Sequence, residues 1–268
     1  ERLKILKADQ PSDKFRILGV EYLYQRGLYK YGIERFDGYE PLIEKNFFMI
    51  YMKIEKQLKL DHSSYVKFLL YVSELANTKY LIFRRKIGMH IEDWFRNGII
   101  VIKGTKYQLF QTNNYNPRAY FSDSIQRGKD IGDFYSFVMR KDYKRAVYTE
   151  RESVHGSSQI EKINNIEYSP NKVTISFKCE KNGIAVLNDV IFPGWEAYLD
   201  KKRTDILRVN YAFRGVKVGP GEHVIEFIYR PELLNIGKII SLITIASLLL
   251  SFLLMSSGFF GKRRRKDT

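Results

Sequence analysis

Residues Ile239 to Phe260 read IISLITIASLLLSFLLMSSGFF, with no charged side chain among them. Lys238 stands at the front edge of this run, and Gly261-Lys-Arg-Arg-Arg-Lys266 follows it. A bilayer core of about 30 Å takes about 20 apolar residues at 1.5 Å rise each. In hydrocarbon only a helix or a closed barrel satisfies its own backbone. A buried core helix of this length would need a much larger domain wrapped around it. The stretch is therefore expected to cross a membrane, with the boundaries 235–261 for the span and 262–268 for a basic tail. Lys and Arg close to a helix end favour the cytoplasmic side. The tail is expected to be cytoplasmic, and the residues before about 235 extracytoplasmic.

The chain carries 45 Lys and Arg against 30 Asp and Glu, a net charge of +15. Fifteen less the tail's net four leaves +11 for everything before it. That balance favours anionic partners such as lipid headgroups, polyprenyl phosphates or phosphate-rich wall polymers. A lysine-rich proteome would give the same balance. Nucleic acid is not expected on the outer face of a membrane. With 19 Tyr and 18 Phe there is ample material for a core. Cys179 is the one cysteine, so no internal disulfide can form, and its alternating apolar surroundings suit a small core residue. The first residue is Glu1, and no export signal precedes it. The chain is thus expected to be the C-terminal piece of a longer membrane protein.

Ahead of the apolar run the patterning divides in two. Phe15 to Val20 reads as a short strand. Pro41 begins a stretch in which Leu42, Phe47, Ile50, Tyr51, Ile54 and Leu58 recur at helical spacing. A second helix is expected from an N-cap at Ser63 or Ser64 to Leu75, ended by Asn77. Lys79–Phe83, Ile99–Ile102 and Tyr107–Phe110 read as strands, the last two around a turn at Lys103-Gly-Thr105. This mixed α/β subdomain is assigned to residues 1–115.

Beyond Pro117 short strands take over, with one helix expected over Asp130–Met139. Ala119–Phe121, Ala146–Thr149, Ile163–Tyr168, Val173–Cys179 and Ile184–Ile191 are followed by Glu196–Leu199, Ile206–Val209, Phe213–Val218 and His223–Tyr229. Strands spaced about 8–12 residues apart suggest an antiparallel sandwich, jelly-roll-like, assigned to 116–234. Asp200-Lys-Lys-Arg203 and Gly219-Pro-Gly221 are read as hairpin tips. The last strand leads through Arg230-Pro231 almost directly into the apolar run, which predicts a sandwich close to the membrane. The fold class is α+β: a mixed subdomain, a β-sandwich and one C-terminal transmembrane helix.

Phe192-Pro-Gly-Trp-Glu-Ala-Tyr-Leu-Asp200 resembles the hairpin "YPGWxAYVDG" of YfhO-like bacterial membrane proteins. Asn210-Tyr-Ala-Phe-Arg214, Gly219-Pro-Gly-Glu-His223 and Glu226-Phe-Ile-Tyr-Arg-Pro231 follow in that family's order and spacing. Upstream, Asp37-Gly-Tyr-Glu-Pro-Leu42, Asn77-Thr-Lys-Tyr-Leu-Ile82 and Asn116-Pro-Arg-Ala-Tyr-Phe121 resemble its weaker signatures. The resemblance runs from about Phe15 through the apolar helix. One departure is Lys201, where the family usually has Gly, which is expected to change the turn type. The resemblance implies a multi-pass glycosyltransferase of the GT-C type. Such an enzyme moves a sugar from a polyprenyl-phosphate carrier to a cell-surface acceptor such as lipoteichoic acid. Its catalytic acid or base would lie in a loop between early membrane helices. This chain would then be accessory and carry no catalytic residue, with the upstream membrane region of the same protein as partner. The other reading is a non-enzymatic, membrane-anchored module that binds glycan or protein.

Among the residues themselves, His62, His90, His155 and His223 are scattered without ligand spacing, so no metal site is expected. No HExxH, Walker, GxGxxG or GxSxG pattern occurs, and no cofactor is expected. The adjacent pair Glu92-Asp93 would point about 100° apart on a helix, which suits a solvated face. Five residues remain as binding candidates. Asp37 and Tyr39 flank Gly38, where a ligand could approach the backbone, although an Asp-Gly turn is the commoner explanation. The indole of Trp195 could carry a pyranose face, or serve as a core plug beside its Pro-Gly turn. Arg214 lies among apolar side chains and could clamp a phosphate or pair with Asp200 or Glu196. Arg118 presents the same choice.

Overall fold

The structure is a computed structural model that describes residues 16–19, 34–35, 45–60, 62–84, 98–103, 107–112, 114–140, 143–151, 154, 156 and 160–263. Two helices, α1 (Lys45–Leu60) and α2 (His62–Leu75), follow each other closely. Phe47, Ile50 and Ile54 of α1 and Tyr65, Phe68, Leu69 and Val72 of α2 are buried, spaced three and four apart as a helix with one apolar face requires. The second helix begins at His62, ahead of the start expected at Ser63 or Ser64, both of which lie inside its first turn. It ends as expected: Asn77 takes φ 61°, the left-handed conformation that asparagine tolerates and that stops a helix.

A mixed sheet accompanies these helices. Its order is β2-β1-β3-β5-β4, from β1 (Arg16–Gly19), β2 (Glu34–Arg35), β3 (Thr78–Arg84), β4 (Gly98–Lys103) and β5 (Tyr107–Thr112). Strand β1 runs parallel to β2 and β3, while β5 is antiparallel to both β3 and β4.

The rest of the chain up to Tyr229 builds the sandwich. One sheet has the order β7-β8-β15-β16-β12-β6-β9. Its strands are β6 (Ala119–Ser122), β7 (Ile125–Arg127), β8 (Val147–Thr149), β9 (Ile160–Lys162), β12 (Gly183–Val190), β15 (Leu207–Val209) and β16 (Phe213–Val218). The other has the order β10-β11-β17-β13-β14. It comprises β10 (Asn165–Ser169), β11 (Lys172–Cys179), β13 (Trp195–Leu199), β14 (Lys202–Thr204) and β17 (Gly221–Tyr229). Along β11 and β17, Val173, Ile175, Cys179, Ile225 and Phe227 are buried while the residues between them are more open, the two-residue alternation of a half-buried sheet. Phe121 of β6 meets Phe177 of β11 with ring centres 6.4 Å apart, so the two sheets face each other. Strands β7, β9 and β14 were not read from the sequence.

A short helix, α3 (Ile131–Val138), joins the two halves of the core. Asp130 caps it: its Oδ1 accepts from the N–H groups of Gly132 (2.7 Å) and Asp133 (2.9 Å). Phe134 of α3 packs on Tyr148 (5.2 Å) and Tyr211 (5.5 Å) of the sandwich, and Tyr135 lies 5.0 Å from Phe68 of α2. One contiguous core thereby runs from α1 and α2 through α3 to the larger sandwich sheet.

The β13–β14 hairpin turns on Asp200 and Lys201 alone. Lys202 and Arg203 already belong to β14. Both turn residues have positive φ, 50° and 68°, as the turn twist of a two-residue hairpin demands. Lys201 thus keeps the backbone that a glycine would adopt there, and the expected change of turn type does not occur. A left-handed non-glycine residue costs about 1–2 kcal/mol, part of which glycine would lose again to backbone entropy. Lys201→Gly is expected to raise stability by about 0.5–1 kcal/mol, read as a shift of the urea midpoint of the detergent-solubilised protein.

The last helix, α4 (Glu232–Arg263), has 32 residues. Its segment Ile236–Met255 has a mean hydropathy of 2.2, and none of it is buried within the protein. Leu, Ile and Phe side chains face outward all the way round, an arrangement stable only in lipid. At 1.5 Å per residue those 20 residues reach about 30 Å, the thickness of the hydrocarbon core. The chain forms two compact units, residues Pro193–Trp195 with Tyr229–Thr268 in one and the remainder in the other.

Candidate functional site

The structure brings Arg118 and Arg214 together. Strands β12 and β16 pair regularly from Gly183 opposite Val218 to Leu187 opposite Arg214, and the register then shifts so that Val190 faces Phe213. Asn188 and Asp189 form the resulting bulge, which re-aims side chains that strict alternation would have placed elsewhere. Asn188 is pinned by its own amide, whose Nδ2 donates to the Pro117 carbonyl at 2.8 Å, and by its N–H to the Arg118 carbonyl at 2.9 Å. These bonds draw the segment before β6 against β12.

Asp189 then receives both guanidinium groups. Arg118 Nη2 lies 2.6 Å from its Oδ1, and Arg214 Nη2 lies 3.1 Å from its Oδ2. Tyr168 of β10 closes the network: Arg118 Nε donates to its hydroxyl at 3.0 Å, and that hydroxyl donates to Asp189 Oδ2 at 3.3 Å. The Arg214 guanidinium also sits 5.0 Å from the centre of the Phe227 ring on β17. Only 2% of Arg214 and 8% each of Arg118 and Asp189 is exposed, so these charges act at low dielectric. Burial pulls the Arg214 guanidinium below its ordinary range against the opposing pull of Asp189, and Arg118 adds to the depression. Chemically this is a fixed ionic cluster on the larger sheet, tied to the smaller one by the Tyr168 hydroxyl and the Phe227 ring.

The partner of Arg214 is therefore Asp189, and the pairings considered from the sequence are taken up differently. Glu196 receives Arg203 at 3.1 Å and the Tyr198 hydroxyl at 3.0 Å. Asp200 accepts from the Val224 N–H at 2.9 Å and from His223 Nδ1 at 2.8 Å, which together hold its carboxyl below the usual range. The reason is the bulge, which no alternating pattern announces. A signal was present, since Asn188-Asp189 interrupts the apolar run Ile184–Ile191.

Trp195 opens β13 and is half-buried. Its ring centre lies 5.2 Å from that of Tyr229. Asp37 and Tyr39 lie outside the described residues, as do Glu92-Asp93, His90 and His155. Among the described residues no three His, Cys, Asp or Glu side chains gather as a metal group.

A second polar cluster went unread in the sequence. Glu74, in the last turn of α2, is buried and accepts from the Tyr143 hydroxyl, while Lys144 Nζ lies 2.7 Å from it. Lys144 also donates to the Asn114 carbonyl, and the Asn116 N–H donates to the Glu74 carbonyl at 2.7 Å. Tyr71 stacks on Tyr143 at 4.7 Å. Burial and the Glu74 carboxylate push the Tyr143 phenol up, and burial lowers the Lys144 ammonium against Glu74's attraction. The cluster clasps α2 to the turn before β8.

A sandwich with a buried ionic cluster, continued by a helix that crosses the membrane, defines a membrane-anchored β-sandwich protein. Residues 145–241 match the family described as "Bacterial membrane protein YfhO". The chain is also 31% identical, over 88 residues, to a protein of Bacillus subtilis (strain 168) named "Uncharacterized protein YfhO". That alignment covers 33% of this chain and 10% of the relative's length. Residues 145–241 are thus a YfhO-like membrane-protein region, reaching from the strands of the sandwich into α4. No solved structure matches the chain.

Proposed function

We propose that this chain is the extracytoplasmic accessory domain and anchor of a membrane glycosyltransferase of the GT-C type. The enzyme would transfer a sugar from a polyprenyl-phosphate carrier to a cell-surface polymer or lipid, lipoteichoic acid being the kind of acceptor envisaged. The observation that carries this reading is the YfhO-like stretch at 145–241, which runs unbroken from sandwich strands into the membrane helix. Lys262–Lys266 supports the orientation, because a basic cluster directly after a span is retained in the cytoplasm. The net charge of +11 ahead of the tail suits an anionic carrier and acceptor. In this reading the catalytic acid or base belongs to the membrane region of the parent protein. Arg118 and Arg214 contribute through Asp189 by holding the sandwich in shape.

Deleting the gene in its own organism is expected to remove one sugar substituent from a surface polymer, seen by NMR and mass spectrometry of the purified envelope. Complementation with the intact gene restores it. An unchanged glycan composition would overturn the transferase reading. Retention of glycopolymer by the solubilised protein would then favour the anchored binding module.

A further inference from the structure

The loop Pro193-Gly194-Trp195 is fastened to the base of the membrane helix. The Arg230 N–H donates to the Gly194 carbonyl at 2.6 Å. Gly194 has φ +99°, and a Cβ there would stand 3.0 Å from the Pro231 Cα and 3.1 Å from the Tyr229 ring. Only glycine lets the backbone lie this close, so the loop cannot drift from Tyr229–Pro231 without breaking its bond to Arg230. The same packing holds the Trp195 indole at 5.2 Å from Tyr229, both rings half-buried, with Pro193 and Arg230 exposed beside them.

Helix α4 starts at Glu232, and its lipid-length segment starts at Ile236. Four residues of helix rise about 6 Å, and the headgroup zone on each side of the core is about 5–8 Å deep. Pro231, directly before Glu232 and packed on Gly194, therefore stands at the outer edge of that zone when Ile236 enters the hydrocarbon. Tryptophan and tyrosine, each an apolar ring with one polar atom, are the side chains that favour this boundary, and an exposed arginine there faces lipid phosphate.

We propose that Trp195 and Tyr229, with the Pro193-Gly194 turn, form an interfacial anchor that contacts the glycerol and headgroup layer of the bilayer. The loop would fix how deeply α4 sits, an assignment that rests on reading α4 as a membrane span. The occupant is the phospholipid boundary, continuous with the lipid that surrounds the helix, and not a pyranose ring.

The test uses the full chain in phosphatidylcholine vesicles. Trp94→Phe leaves Trp195 as the single tryptophan. Lipids brominated near the headgroup end of the acyl chain are expected to reduce its emission about twofold, and lipids brominated near the chain terminus much less, as an interfacial indole requires. Emission unchanged by either lipid, from protein that floats with the vesicles, overturns the anchor. Such a result leaves the span and the proposed transfer activity standing, because flotation and envelope glycan analysis read those separately. If Trp94→Phe fails to fold, Trp195→Phe in the otherwise unaltered chain must abolish the quenching by shallow bromine. Persistence of that quenching overturns the assignment equally.

Discussion

Asp189→Ala is expected to destabilise the protein by about 3–5 kcal/mol, because removing one partner of a buried ionic network strands the other charges. Two guanidinium groups meet this carboxylate, Arg118 at 2.6 Å and Arg214 at 3.1 Å, with 8% and 2% of these arginines exposed. Domains are stable by only about 5–15 kcal/mol, so the loss is a large share of the whole. Urea denaturation of the detergent-solubilised chain, followed by circular dichroism, reads it directly. Asp189→Asn keeps the volume and the chance of one hydrogen bond but removes the charge, and is expected to lose less than the alanine variant. The informative partner is the triple change Asp189→Leu, Arg118→Met and Arg214→Met. Replacing a whole buried ion network by apolar side chains is often neutral or stabilising by about 1–4 kcal/mol. A triple variant near wild-type stability beside a crippled Asp189→Ala would show that the carboxylate answers the arginines. An Asp189→Ala variant that unfolds like the wild type would remove the network from the account of the fold.

The contrast between the strands and their buried ionic cluster shows what the sequence could tell. Alternation along Val173–Cys179 and His223–Tyr229 is a local signal, because each residue's face follows from its parity. The same holds for the helix at Phe47, Ile50 and Ile54, and the uninterrupted apolar run in α4 needs no partner to be legible. The direction of Asp189, though not its interruption of the apolar run, was illegible for the opposite reason. Its direction depends on a two-residue register shift against β16, and a shift in pairing leaves no trace in parity. Glu74 belongs to the same class: its partner Tyr143 lies 69 residues away, and only the packing of α2 on the sandwich brings them together. Arg118 and Arg214 could be singled out as cations in apolar company. The carboxylate that gathers them, and Tyr168 reaching across from the opposite sheet, required the fold. Trp195 shows an intermediate case. Its Pro-Gly turn was plain, but its placement against Tyr229 depends on Gly194 meeting Pro231.

Asn210→Ala is expected to cost about 2–4 kcal/mol, since buried donors and acceptors left without partners cost about 1–3 kcal/mol each. The wild-type side chain is fully buried and engaged at both ends: Oδ1 accepts from the Tyr148 N–H at 3.1 Å, and Nδ2 donates to the Tyr120 hydroxyl at 2.7 Å. Its φ of 45° adds to the loss, because asparagine tolerates the left-handed region better than alanine. Alkaline titration gives a second reading. Burial, opposed by hydrogen bonds from Asn210 and Asn116, pushes the Tyr120 phenol up to about 12 from an ordinary value of 10.0. A folded value above the unfolded one means that this contribution is complete below pH 10 and lost as pH rises towards 12. The phenols of Tyr143 and Tyr148 are also raised, chiefly by burial, so stability is expected to fall steeply above pH 10. Without the Asn210 donor the Tyr120 phenolate loses a hydrogen bond that favours it, and the alanine variant should lose stability more steeply through the same window. A loss below about 1 kcal/mol at neutral pH would instead place the anchorage of this loop in Tyr211, whose ring stacks on Phe134 at 5.5 Å. Tyr211→Ala would then have to carry the larger effect.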